Sequence, residues 1–123
     1  MKDSGNRENF TTGAVRDIRS GKGRFDLISP IALRRLAKWM ELGALKYGDR
    51  NWEKGMPVSR CLDSALRHLN NHLLGLRDED HLSAAMFNIQ AIVHIEEMVQ
   101  RGLLPQDLLD WPSSYLDSPE DKD

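Results

Sequence analysis

The stretch "DHLSAAMFNIQAIVHIEEMVQRG" constrains this chain more than any other. It reads as a helix from about residue 80 to 101 whose middle is apolar on nearly every face. Such a helix must be covered all round. A chain of 123 residues suits one domain and has few other helices to offer as cover. A homo-oligomer, dimer or tetramer, is therefore expected, with this helix near its centre.

Two further segments carry helical periodicity. In "SPIALRRLAKWMELGALKY", Ser29 is a plausible N-cap and Pro30 suits the first helical position. Leu33, Leu36, Met40, Gly43 and Tyr47 recur at three- and four-residue steps, and Gly48 ends the run. In "PVSRCLDSALRHLNNHLLG" the expected stripe is Leu62, Ala65, Leu66, Leu69 and Leu73, stopped by Gly75. "LRDED" then forms a tight acidic connection. Residues 1–29 lack helical periodicity and read as an irregular arm, residues 30–104 as the helical domain, and residues 105–123 as a tail with one short turn at 105–110. No strand pattern is visible. The expected class is all-α, three main helices in an oligomeric bundle.

The formal charge of −2 gives no basic excess, so nucleic acid is not an expected partner. No stretch reaches the roughly 20 apolar residues of a membrane span, and "MKDSGNRENF" has no apolar run of the signal-peptide kind. The single cysteine, Cys61, has no internal partner for a disulfide, which points to the cytoplasm.

The connection "GALKYGDRNWEKG" holds more chemistry than a turn requires. Lys46 offers a compact cation for phosphate, Asn51 a donor and an acceptor, and Tyr47 or Trp52 a face for a base. A capped helix end with solvated charges explains the same residues. The carboxylates pose a similar choice. Glu41, Asp63, Asp78, Glu79 and Asp80, if brought together, would repel one another without a divalent cation such as magnesium or manganese. Taken singly, Asp63 and Arg67 make an ordinary i,i+4 ion pair and Asp80 an ordinary N-cap. Whether the acidic connection joins the site at the first connection depends on a partner chain.

His68 and His72 have metal-compatible spacing, but the H-E-x-x-H pattern is absent and packing is the simpler reading of each histidine. The order Asp80-His81, not His-Asp, argues against an HD phosphohydrolase. Asn88, inside "AAMFNIQAI", must find a backbone group, a symmetry mate or a nucleobase edge. "GKGRFDL" lacks the Walker A spacing, and Lys22 and Arg24 form only a weak phosphate hook.

"TGAVRDIRSGKGRFDLISPIALRRLA", "GALKYGDRNWEKGMPVSRCLDSALRHL" and "RDEDHLSAAMFNIQAI" together resemble the phage and bacterial dATP/dGTP pyrophosphohydrolases of the MazZ type, over roughly residues 10–105. Those proteins are counted among the MazG-like all-α nucleotide pyrophosphohydrolases, whose site is typically E-x-x-E on one helix and E-x-x-D on the next, holding magnesium or manganese. Here Glu41 stands for one glutamate, but Ala44 lies three residues later. Asp63 stands for the aspartate, but Arg60 lies three residues earlier. Glu79, Asp80 or the substrate would supply the missing oxygens.

The resemblance implies hydrolysis of a purine deoxynucleoside triphosphate to monophosphate and pyrophosphate. Two or three Mg²⁺ or Mn²⁺ ions on Glu41, Asp63, Glu79 and Asp80 would activate water against the α-phosphorus. Lys46, Arg67, Lys22 and Arg24 would neutralise the phosphates, and Tyr47, Trp52, Asn51 and Asn88 would hold the base. Two other classes fit the same chain: a nucleotide binder without turnover, and a helical oligomerisation module.

Overall fold

The structure, a computed structural model, describes residues 2–112. The chain divides into two compact units, Met1–Pro30 and Ile31–Asp123.

The first unit contains what the sequence reading left irregular, a small antiparallel hairpin. Strand β1 (Arg7–Asn9) pairs with β2 (Val15–Asp17), with Glu8 opposite Arg16. The turn between them closes through Phe10 N–H to the Ala14 carbonyl and Gly13 N–H to the Phe10 carbonyl, both at 3.0 Å. Gly13 takes φ +91°, where a side chain would be strained. Each strand is three residues long and almost wholly exposed, so no apolar alternation marks it in the sequence. Asp17 gathers the unit: it accepts from Ser4 and from Lys22 Nζ at 2.8 Å, and these bonds hold its carboxyl well below the usual carboxylate range.

The second unit is helical. Helix α1 spans Pro30–Tyr47, α2 Val58–Leu73 and α3 His81–Gln100. The described residues are thus mostly helical, with three α-helices plus the N-terminal hairpin. Short 3₁₀ turns lie at Asn51–Lys54 and Gln106–Leu108, the latter inside the expected turn at 105–110. No helix among the described residues is long and apolar enough to cross a membrane.

Helices α2 and α3 form an antiparallel pair. Ser64 meets Asn88 at one level and His68 meets His81 at the next, towards the connecting turn. Small residues set the approach: Ala65, Ala84, Ala85 and Ala91 are all buried. The core lies at the other end of the pair, where Val58 and Cys61 pack with Ala91, Ile95 and Val99. Trp52, Met56, Ile92, Leu104, Leu108 and Leu109 close over it from α3 and from the segments that hold the two 3₁₀ turns. Burial pushes the Cys61 thiol pKa up. The segment after α3 is tied back by Asp110, whose carboxylate accepts from Ser59 N–H at 2.9 Å and from the Ser59 hydroxyl. That contact supplies an acceptor to the first turn of α2, whose N-cap is Pro57 without a side-chain cap of its own.

The predicted stripe of α2 faces the wrong way for its own chain. Ala65 is buried, but Leu62, Leu66, Leu69 and Leu73 are exposed, Leu73 at 84%. The face that meets α3 is instead Val58, Cys61, Ala65 and His68, because close helix approach selects small residues over leucine. Helix α1 has no buried residue. Leu36, Met40 and Gly43 of its predicted stripe are partly covered, whereas Leu33 and Tyr47 are exposed.

Candidate functional site

The acidic turn between α2 and α3 carries the densest chemistry in the second unit. Asp80 is the N-cap of α3. Its Oδ1 accepts from Ser83 N–H at 3.2 Å and from Arg35 at 2.6 Å. Its Oδ2 accepts from the Ser83 hydroxyl at 2.6 Å and from Arg35 Nε at 3.0 Å. The capping role expected from sequence is therefore present, joined to a bidentate ion pair that pins α1 to the start of α3. The Arg35 guanidinium, with the Ser83 bonds, holds the Asp80 carboxyl well below the usual aspartate range.

Asp80→Ala should lower the unfolding free energy by about 1.5 kcal/mol, roughly 1 for the cap and the rest for a half-exposed ion pair. The depressed pKa also gives a sign with pH. Between the folded and unfolded values the unfolded state binds more protons, so this contribution is present above about pH 3.9 and is lost as pH falls through the folded value. Urea titrations across acid pH should show a shallower acid limb for Asp80→Asn than for the parent chain. Parallel limbs would count against this account.

Beside Asp80 sits a second cluster. His81, 2% exposed, opens α3, and Nδ1 of His68 on α2 lies 2.9 Å from Nδ1 of His81. Glu79 Oε1 is 3.6 Å from His68 Nδ1 and 3.7 Å from His81 Nδ1. His81 Nε2 lies 2.8 Å from Asp78 Oδ1, a contact that lowers the Asp78 pKa, and His81 Nδ1 is the nitrogen turned towards His68 and Glu79. Burial lowers the pKa of His68. Trp39 of α1 stands edge-on to His68, ring centroids 5.9 Å apart. Among the described residues, His68, Glu79 and His81 are the group whose donor atoms come close enough to hold one ion.

An open pocket of about 530 Å³ adjoins this cluster, lined by Arg35, His72, Arg77, Glu79, Asp80 and His81 with Leu82. The Arg77 guanidinium is oriented by the carbonyls of His72 and Leu76, at 3.0 and 2.7 Å. Two guanidiniums and a carboxylate–imidazole group thus face one hollow, an arrangement that suits an oxyanion with a cation beside it.

The other residues singled out from sequence lie elsewhere. Glu41 is exposed on α1. Asp63 is exposed on α2 and pairs with Arg67 at 3.5 Å, the i,i+4 pair that its spacing allows. Lys46 places its ammonium 5.2 Å from the centroid of the exposed Tyr47 ring. Trp52 is half-buried, edge-on to His94 at 4.9 Å and to Phe87 at 6.1 Å, so it anchors the first connection onto α3. Asn51 starts that 3₁₀ turn, half-buried. Asn88 donates to the Ala84 carbonyl at 2.8 Å and to Ser64 Oγ at 3.2 Å, one of the partners its burial demanded. In the first unit, Lys22 pairs with Asp17 and Arg24 with Asp26, each at 2.8 Å.

Arg35, Arg77 and His81 line the pocket without having been site candidates, and His68, paired by spacing with His72, stands beside them. His68 pairs across the helix turn with His81, not along its own helix with His72, and only the α2–α3 register reveals it. The one local signal is D-x-x-H, Asp78 to His81, at the spacing that lets the carboxylate reach the ring.

No curated protein and no solved structure matches this chain. Residues 12–103 match the family described as "dATP/dGTP diphosphohydrolase, N-terminal". That span includes the hairpin's second strand, all three helices and every residue of the pocket. The chain belongs to the dATP/dGTP diphosphohydrolase N-terminal family.

Proposed function

We propose that this chain hydrolyses dATP or dGTP to the deoxynucleoside monophosphate and pyrophosphate. The family match over residues 12–103 carries the reading. Water attacks the α-phosphorus, the bond from that phosphorus to the bridging oxygen breaks, and pyrophosphate leaves. The reaction needs fixed positive charge along the phosphates more than it needs a covalent nucleophile.

The pocket at the acidic turn supplies such charge. Arg77 spends one nitrogen on two backbone carbonyls and keeps further N–H donors for an oxyanion. Arg35 is held at the pocket edge by Asp80. Lys46 and Arg67 are further cations of the second unit offered to the triphosphate, while Lys22 and Arg24 of the first unit pair with Asp17 and Asp26. Tyr47, exposed at the end of α1, offers a stacking face, with Asn51 and the free part of Trp52 beside it in sequence. Asn88, whose amide is spent inside the helix pair, enters this reading as a packing residue.

The reading asks for magnesium or manganese, two or three ions, as in the MazG-like enzymes. When bound, such ions screen the triphosphate and make water more acidic. Of the four carboxylates expected to hold them, Glu41 and Asp63 are exposed and open to an ion that arrives with the substrate. Glu79 is seated beside two imidazoles. Asp80 has both oxygens engaged, and its part is to hold Arg35. A homo-oligomer belongs to the same proposal. The exposed leucines of α2, with Leu42 and Leu45 of α1, are what a second copy would cover. Arg35 and Tyr47 lie about 18 Å apart along α1 at 1.5 Å per residue, so such a copy would also be placed to join one chain's acidic turn to the other's first connection.

The test is pyrophosphate release from dGTP and dATP by the purified chain with Mn²⁺. Release is expected, with kcat/KM lowered at least tenfold in Arg77→Ala, the scale of one charge-assisted hydrogen bond lost. Glu41→Ala and Asp63→Ala should lower it as well. Thermal stabilisation by dGTP without release would identify a nucleotide binder instead. Neither effect would identify a helical interaction module.

A further inference from the structure

We infer that His68, Glu79 and His81 form a three-donor site for a first-row transition-metal ion, with zinc the best fit, at the mouth of the Arg35–Arg77 pocket. This goes beyond the diphosphohydrolase reading, because it concerns what the chain binds without nucleotide and does not depend on which bond is cleaved.

The geometry supports it first. A tetrahedral ion with bonds of about 2.0–2.1 Å holds its donors roughly 3.3 Å apart. The three separations here are 2.9, 3.6 and 3.7 Å, bracketing that value with small side-chain adjustments left to make. The outer contact supports it next. His81 Nε2 lies 2.8 Å from Asp78 Oδ1, so the ring is held with Nδ1 turned towards the cluster. A carboxylate behind a ligating imidazole is the usual outer partner of a metal-bound histidine. Without an ion, one Nδ1–H must donate to the other Nδ1. With an ion, both nitrogens offer it their lone pairs.

The donor set decides the class of ion. Two imidazoles and one carboxylate suit zinc, manganese, iron or cobalt, whereas magnesium prefers oxygen and water. Burial contributes as well. His81 is 1% exposed at its side chain and His68 12%, but Glu79 is 46% exposed and opens to the pocket. Three protein ligands leave at least one position free on a zinc ion. That position would face the hollow lined by Arg35, His72 and Arg77, where a water or an anionic oxygen can enter.

The test uses the full chain stripped with chelator and titrated with Zn²⁺, Co²⁺ and Mg²⁺, without nucleotide. One zinc per chain is expected, measured by competition with a chromophoric chelator, and Mg²⁺ at a hundredfold excess should not displace it. Cobalt should give visible d–d bands that vanish on adding zinc. Glu79→Gln, which alters a half-exposed side chain, should weaken zinc at least tenfold with an unchanged circular dichroism spectrum. Asp78→Asn should weaken it by about tenfold through the histidine it orients. Wild-type zinc affinity in Glu79→Gln, or displacement by Mg²⁺, would overturn the assignment. Dead dGTP turnover with intact zinc binding would overturn the proposed activity and leave this site standing; the reverse result would do the opposite.

Discussion

Ile95→Ala should cost the fold about 3 kcal/mol, the middle of the range for truncating a fully buried isoleucine. Ile95 has no exposed surface and sits in the packed cluster at the end of the α2–α3 pair away from the connecting turn, among Val58, Cys61, Ala91 and Val99. Its neighbours are already small or fixed by the helix pair, so the space left behind would close poorly. Ile89 gives the contrast on the same helix. It is 49% exposed, and Ile89→Ala should cost well under about 1 kcal/mol in the monomer. Urea titrations of both variants, with unchanged m-values, measure the difference. Similar losses for the two would mean that α3 buries another face than the one described, or that Ile89 is covered by a second chain. Repeating the titration at a different protein concentration separates those outcomes.

The second large effect is at Gly55, which ends the 3₁₀ turn before α2. It has φ +97° and ψ 142°, a backbone region essentially reserved for glycine. A Cβ there would meet Leu108 Cδ1 at 2.8 Å and Leu104 Cδ2 at 3.2 Å. Gly55→Ala should therefore cost about 2–3 kcal/mol, part backbone strain and part displacement of two leucines from the core. Gly75 isolates the first part. It also has positive φ, +94°, but a Cβ there meets nothing within 4 Å. Gly75→Ala should cost about 1 kcal/mol. Equal losses at the two glycines would show that Leu104 and Leu108 move aside freely.

Much of the helical unit was legible because local rules and packing agree there. Pro30 begins α1, Asp80 caps α3, and glycines follow α1 and α2 with positive φ. The leucine stripe of α2 is there but lies exposed on this chain, because periodicity identifies a stripe and not what covers it. The small face of Val58, Cys61 and Ala65 carries a weaker hydrophobic signal than the leucines beside it, although it makes the contact. The hairpin escaped because its six residues, Arg-Glu-Asn and Val-Arg-Asp, alternate nothing that a core could use. At the pocket, the acidic residues were visible as a run, but the pairing of His68 with His81 and of Arg35 with Asp80 depends on register across helices. The first connection carried two meanings from the outset. Its tryptophan proves to be held against α3, while Lys46 and Tyr47 remain at the surface.

The lone sulfhydryl of Cys61 lies in the same packed cluster as Ile95, 1% exposed and with its ionisation discouraged by burial. Alkylating reagents reach it when the cluster opens, whether the covering segments lift or α2 and α3 come apart. Labelling of this chain thus works as a clock for the opening of that packed end, slower than the fraying of exposed side chains.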